Sequence, residues 1–324
     1  MDVVVIGEPL MEFSAARPLG EAVDFHLSFS GDALNASVAA AATGAHVALV
    51  TRVGRDEFGE RLIAFAASHG VDTRWMLPGD GPTGAYVVGA DPTGERAFAY
   101  LRSGSAASRM TPADLDAVPL AATRVLLLSG ITAAISASCD HVVRHAAEIT
   151  HAAGGKVVYD PNYRSRLTTP EASRATLAAV APHTTLLTPS CPGDSLPLLN
   201  AHDPLAAARA CHDLGAPAAA VTRGPDGVLL SIAGEAPADI PAFPAPEIVD
   251  QTGAGDAFAG ALAARLSHGS PLPDAIRAGM AAAAISLSGQ GGTGRVAAPE
   301  EIEDLLRRVG IGRADGHAAT AHPS

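Results

Sequence analysis

Asp250-Gln251-Thr252-Gly253-Ala254-Gly255-Asp256-Ala257-Phe258-Ala259-Gly260 is the stretch around which the rest of the chain is organised. Gly253 and Gly255 allow a tight turn with bare backbone N–H groups, and Phe258, Leu262 and Leu266 continue it with a helical period. Free N–H groups and the positive end of a helix dipole favour an anion at such a turn. Asp256 falls in the first helical turn and sets a carboxylate beside whatever binds. A phosphate cradle next to a candidate base suggests phosphoryl transfer to a hydroxyl. Taken alone, the same residues also read as a glycine turn into a helix whose Asp256 only complements the dipole.

Composition narrows the class. The chain has 324 residues, and its 48% hydrophobic content with only 4% aromatics leaves alanine and branched aliphatics to fill the core, which suits helices packed on a parallel sheet. A net charge of −12 argues against an extended nucleic-acid surface or an anionic membrane as partner. An anionic substrate stays open, because a few arginines or a metal can reverse the field inside a cleft. Cys139, Cys191 and Cys211 form no C-x-x-C pair and no disulfide framework. The apolar opening Val3 to Ile6 is too short for a signal peptide, and no run reaches membrane-spanning length, so a soluble cytoplasmic protein is expected.

Along the chain, Val3 to Ile6 reads as a buried strand, and 8–30 as small strands of a lid. Ser30-Gly31-Asp32-Ala33-Leu34-Asn35 opens a helix of very small residues, with Asp32 and Asn35 placed either to cap it or to hold ligand hydroxyls. A strand at 46–53 and an amphipathic helix at 57–69 follow, with Gly70-Val71-Asp72 as the turn and strand start after the helix. Segments 83–90 and 96–102 alternate in the β manner around Asp91-Pro92-Thr93-Gly94, a hairpin signal, with Tyr86, Tyr100 and Arg102 on these strands. From Arg124 the chain alternates strand and helix: strands at 125–128, 156–159, 185–188, 219–222 and 227–232, with helices at 138–151, 171–180 and 205–214 between the earlier ones. That pattern predicts an α/β fold, a doubly wound and mostly parallel sheet with its ligand site at the C-terminal strand ends. Asp160, Asn162 and Arg164 follow one strand, Thr222 to Gly227 another, and the stretch at 250–260 should follow a third extended segment. Helices at 254–268, 272–287 and 299–309 close the chain around the loop Gly289 to Gly294, and 313–324 reads as a disordered tail. One domain over 1–312, with lid strands inserted at about 8–30 and 83–103, is the expected division.

Four segments, S-G-D-A-L-N-A-S-V-A-A-A at 30–41, D-P-N-Y-R at 160–164, V-T-R-G-P-D-G at 221–227 and D-Q-T-G-A-G-D-A-F-A-G-A-L at 250–262, together resemble the ribokinase-like (PfkB) carbohydrate kinases. Within that family, Y-L-R-S-G-S-A-A-S at 100–108 is most similar to 2-keto-3-deoxygluconate kinases, and Arg102 with Arg164 suits a sugar-acid carboxylate. The resemblance implies that Asp256 is the base and that Gly253, Ala254 and Gly255 form the anion hole. It implies further that Gly31, Asp32, Asn35, Tyr86, Tyr100, Arg102 and Arg164 bind substrate. Asn162, Arg164, Thr222, Arg223, Gly224 and Gly227 would face the nucleotide. ATP with Mg²⁺ is the expected donor, a monovalent cation near the anion hole is a trait of many relatives, and a homodimer through the lid is a further expectation from resemblance.

This chain departs from the family pattern in two places. Where relatives carry Asn-x-x-Glu it reads Ser190-Cys191-Pro192-Gly193, with Asp194 one place late as the candidate metal-side carboxylate. Ser30 replaces the first glycine of the usual Gly-Gly pair. A kinase for ribose, fructose, 5-keto-2-deoxygluconate or a nucleoside is the first alternative, and a sugar-binding sensor on the same fold is the second. His141, His145, Glu148 and His151 have metal-compatible helical spacing but read as an exposed face.

Overall fold

A computed structural model describes residues 1–89 and 98–317, with side chains to Val309; the Asp91 to Gly94 turn lies outside the described residues. The first half contains strands β1 (Val3–Ile6), β2 (Leu10–Ala15), β3 (His26–Ser30), β4 (Val47–Gly54), β5 (Met76–Gly79), β6 (Ala85–Gly89) and β7 (Phe98–Leu101), with helices α1 (Asp32–Ala42) and α2 (Glu57–Ser68). Next come β8 (Val125–Ser129), α3 (Gly130–Ala134), α4 (Ala137–Ala152), β9 (Lys156–Asp160), α5 (Pro170–Val180), β10 (Leu186–Leu187), α6 (Ser195–Leu199), α7 (Pro204–Asp213) and β11 (Ala218–Thr222). The chain ends with β12 (Val228–Ile232), β13 (Ala238–Ile240), α8 (Ala254–Ser267), α9 (Leu272–Ser286) and α10 (Pro299–His317).

Nine strands form the main sheet in the order β13-β12-β11-β10-β9-β8-β1-β4-β5. All neighbours are parallel from β11 to β5, and β12 and β13 add antiparallel. Strand β1 sits between β4 and β8, so the chain winds first to one side and then to the other, which leaves a crevice at the C-terminal end of β1. Alternation puts Val3 and Val5 into the core shared with α1, α8 and α9, while Val4 and Ile6 enter the core under α4 and α7. Both faces are therefore covered, as a parallel sheet requires.

The lid is a separate four-stranded sheet, β3-β2-β6-β7, as the sequence predicts. The extended segment before the 250–260 stretch is β13, separated from it by the loop 241–253; the strand expected to start at 71–72 forms a single bridge there, Ala48 with Asp72, and runs as β5 from Met76; and, as a correction, α10 passes the expected end at Val309 and the expected tail start at 313 to reach His317.

Small residues bring α1 and α8 close. A Cβ on Gly260 would lie 2.2 Å from the Ala36 carbonyl oxygen and 3.0 Å from Ala39 Cβ, so only glycine lets the two backbones meet. That approach brings Asn35 on α1 to Asp256 on α8, residues 221 positions apart in sequence.

Candidate active site

A cleft of about 850 Å³ runs between the lid and the C-terminal strand ends. Its wall includes Gly31, Asp32 and Asn35 at the start of α1, Tyr86, Tyr100 and Arg102 from the lid side, and Asn162, Arg164, Thr222, Gly253, Gly255 and Asp256 from the sheet side. Most of the residues predicted from sequence thus converge on one cavity.

Asp256 lies in the first turn of α8, whose N-cap Gly253 has φ 80°. A side chain at Gly253 would put its Cβ 2.7 Å from Gly292 Cα, so glycine is needed both for the left-handed backbone and for the fit against the 289–294 loop. Asp250 ties these two loops together: it accepts the Thr252 N–H at 2.8 Å, the Gly291 N–H at 2.9 Å and the Gln290 amide at 3.1 Å. The first turn of α8 leaves N–H groups without intrahelical partners at the cleft. Ala254 does not line the cleft, and its N–H reaches the Gln251 carbonyl at 3.3 Å.

The Asp256 carboxylate is half-buried and accepts a 2.8 Å hydrogen bond from Asn35 Nδ2. Burial, followed by the charge of Asp32, pushes its pKa up to about 7, with the Asn35 bond and Arg164 pulling the other way. A carboxylate poised there suits general base work near neutral pH.

The capping reading of Asp32 and Asn35 is corrected, because α1 is preceded by Gly31 and has no side-chain cap. Gly31, at φ 104°, would drive a Cβ within 2.6 Å of the Glu8 carbonyl oxygen. Asp32 Oδ2 is a buried oxygen without a hydrogen-bond partner among the described residues, an acceptor available to a hydroxyl. Asn35 is buried, and its donor points at Asp256, so it holds the carboxylate in addition to lining the cleft.

On the lid, the Tyr86 hydroxyl donates to Glu12, and the Tyr86 ring packs against Phe98 and Tyr100 at centroid distances of 5.9 and 6.3 Å. Arg102 is 8% exposed and forms an ion pair with Glu8, which also accepts from the Ser105 hydroxyl. The sequence reading did not foresee this partner: Glu8 lies 97 residues before Ser105 in the chain, and its pKa is raised by burial. Arg102 still lines the cleft, and its Nε has no hydrogen-bond partner among the described residues.

The loop after β9 supplies the opposite end. Asn162 sits at φ 40°, a left-handed position asparagine tolerates, with its N–H held at 3.1 Å by Asp160 Oδ1. Burial and the charges of Asp194 and Asp256 raise the Asp160 pKa well above the usual carboxylate range. Asp194 is buried and staples two loops, accepting the Tyr163 N–H at 2.7 Å and the Ser190 N–H and hydroxyl at 2.8 and 2.6 Å. Arg164 is exposed to the cleft, its one hydrogen bond among the described residues being to the neighbouring Tyr163 carbonyl at 3.3 Å. Arg166, which the sequence reading passed over, also lines the cleft and reaches the Phe98 carbonyl of β7 at 3.0 Å.

Arg223, Gly224 and Gly227 do not line the cleft, contrary to expectation; only Thr222 of that turn does. Arg223 pairs with Asp239 at 2.8 Å, and a Cβ on Gly227 would lie 2.2 Å from the Ile240 carbonyl oxygen, so both residues shape the β12–β13 edge. His141, His145, Glu148 and His151 lie exposed on α4, and no cluster of three or more metal-compatible side chains occurs among the described residues.

The profile of the pfkB family of carbohydrate kinases matches residues 1–298. The chain is 30% identical over 319 residues to a 2-dehydro-3-deoxygluconokinase of Thermoproteus tenax, covering 95% of each protein. It is 34% identical to the enzyme of the same name from Escherichia coli K12, covering 83% of this chain and 89% of that one. Among solved structures, a protein described as ribokinase II from E. coli, in complex with ATP and Mg²⁺, superposes with a TM-score of 0.83 at 27% identity, over 94% of this chain and 99% of that one. The profile match, the relatives and a ribokinase-like architecture agree: this chain belongs to the pfkB family of carbohydrate kinases and is an ATP-dependent sugar kinase.

Proposed function

We propose that the enzyme transfers the γ-phosphoryl group of ATP to the terminal hydroxyl of 2-keto-3-deoxygluconate or a close sugar acid. The observation that carries this reading is one cleft holding both a carboxylate poised near neutrality, Asp256, and three arginines, Arg102, Arg164 and Arg166, in a chain whose net charge is −12. Two relatives named for 2-dehydro-3-deoxygluconate support the same substrate.

In this mechanism Asp256 takes the proton of the terminal hydroxyl as its oxygen attacks the γ-phosphorus. The bond from that phosphorus to the bridging oxygen of the donor breaks, and ADP leaves. N–H groups of the Gly253 to Gly255 turn face the charge that develops on the phosphoryl oxygens. Asp32 accepts from a substrate hydroxyl, Tyr86 and Tyr100 pack over the sugar, and Arg102 and Arg164 hold the acid end. Glu8 offsets part of the Arg102 charge, so Arg102 contributes direction through its free Nε more than net attraction.

Mg²⁺ fits the donor side. Asp160 is a half-buried cleft carboxylate crowded by Asp194 and Asp256, a setting that a cation relieves, and Mg²⁺ needs only one or two protein carboxylates beside phosphate oxygens and water. Asp160 would hold it. Asp194, already accepting three hydrogen bonds, would fix the loops around it. When bound, the ion neutralises phosphate charge. A monovalent cation near the anion hole belongs to the same reading, and equal rates in sodium, potassium and tetramethylammonium salts would remove it.

Asp256→Asn tests the assignment of the base. With the sugar acid and ATP, kcat is expected to fall by about 10²- to 10⁴-fold, with the melting temperature no lower than that of wild type. Retention of most of kcat would refute the assignment.

A further inference from the structure

Asn162 lines the cleft with a side-chain amide that makes no hydrogen bond among the described residues, and its backbone sits at φ 40°. A left-handed conformation outside glycine persists only where the surroundings hold it. Two carboxylates do so here. Asp160 Oδ1 accepts the Asn162 N–H at 3.1 Å, and Asp194 Oδ1 accepts the N–H of the next residue, Tyr163, at 2.7 Å. The N–H groups on both sides of the Asn162 Cα are anchored, so the direction in which its amide leaves the backbone is set.

Asp194 can serve as an anchor because it is 3% exposed and its other oxygen is fixed on the neighbouring loop. Oδ2 accepts the Ser190 N–H at 2.8 Å and the Ser190 hydroxyl at 2.6 Å, and Ser190 Oγ accepts the Asp194 N–H at 3.1 Å. That loop is tied in turn to the end of β11: the Cys191 N–H donates to the Thr222 carbonyl at 2.8 Å, and the Thr222 N–H to the Pro189 carbonyl at 2.9 Å. Backbone N–H groups can only donate, so the direction of the Tyr163 bond depends on no proton assignment. Both departures from Asn-x-x-Glu take part in this clip. Ser190 supplies its hydroxyl, and a Cβ on Gly193 would lie 2.7 Å from Ser190 Oγ, so a side chain at 193 would push that hydroxyl off Asp194.

We infer that Asp194 is a positioning residue for donor binding: it clips the loop after β9 to the loop after β10 and, through the Tyr163 N–H, holds the Asn162 amide toward the nucleotide phosphates. Asp194 replaces the lost metal-side carboxylate in sequence but not in role. The inference rests on the reading that Asn162 faces the nucleotide.

The test is calorimetric binding of ADP, once in EDTA and once with Mg²⁺, and of the sugar the wild type turns over best, to wild type, Asp194→Asn, Asn162→Ala and the double variant. Asparagine at 194 has one oxygen for donors on two sides, so it can keep Tyr163 or Ser190 but not both. Asp194→Asn is expected to weaken ADP by about five- to tenfold, the equivalent of one hydrogen bond, equally with and without Mg²⁺, and to leave sugar affinity within about twofold. Loss of a negative charge near the phosphates would by itself tighten metal-free ADP, so weakening in EDTA marks lost geometry. The double variant should lose no more than the worse single, since both changes remove the same amide contact.

Three outcomes would overturn the inference: metal-free ADP bound as tightly as by wild type or more so, which with weaker Mg²⁺-ADP marks a metal ligand; ADP and sugar weakened alike with a lower melting temperature, which marks general loosening; or losses that multiply in the double variant. Should Asp194→Asn fail to fold, Ser190→Ala replaces it, with a smaller loss and the same non-additivity expected. Asn162→Ala separates the two levels. If it binds ADP as wild type does, the assignment of Asn162 to the nucleotide has failed; if it weakens ADP while Asp194→Asn does not, only the role of Asp194 has.

Discussion

Asp256 is held in a state that costs the fold something. Its pKa near 7 exceeds the ordinary 3.8, so the folded chain binds this proton more tightly than the unfolded chain does. The stability this group contributes is therefore greatest below pH 4, declines as pH rises through 7, and is flat above. Asp256→Asn removes that penalty. Thermal melts at pH 5 and pH 8 should show the variant gaining on wild type at the higher pH; a variant that loses ground between those values would contradict the pKa direction. The carboxylate itself was legible in the sequence, because a Gly-Ala-Gly turn places it in a first helical turn. Its partners were not. Asn35 is 221 residues away, and Glu12 lies 74 residues from Tyr86, so the contacts that orient the site arise only when the fold closes. Arg102 shows the same limit: its place beside the lid hairpin was readable, although β7 ends one residue earlier at Leu101, and its pairing with buried Glu8 was not.

At the scale of elements, apolar periodicity located all the central strands and the long helices other than α10 to within a few residues, and for α10 it gave the start but not the end. It failed where strands are short or atypical. Strand β5 carries Pro78 and Gly79, residue types disfavoured in strand interiors, and β13 is only three residues long. The small-residue helices were found, yet nothing local said that α1 packs on α8. That contact depends on Gly260, and Gly260→Ala forces a Cβ against the Ala36 carbonyl. Chemical denaturation should show a loss of about 1–3 kcal/mol, with kcat falling as Asn35 and Asp256 are pushed apart. A variant as stable and active as wild type would mean that the two helices can separate without cost.

Across the whole molecule, the doubly wound sheet sets the crevice at β1, the lid closes it from one side, and the glycine turn of α8 faces it from the other. Architecture alone serves many sugars, so substrate choice rests on a few side chains in the cleft. On the proposed reading, the cleft arginines make that choice. A panel of 2-keto-3-deoxygluconate, ribose, fructose and a nucleoside, each with ATP, measured for wild type and Arg102→Ala, tests this most directly. The account predicts that wild-type kcat/KM for the sugar acid exceeds that for every neutral substrate by at least about tenfold, and that Arg102→Ala erodes this preference by removing a charge-assisted hydrogen bond of about 1.5–3 kcal/mol. A neutral sugar turned over as well as the acid, or a variant that weakens both equally, would contradict it.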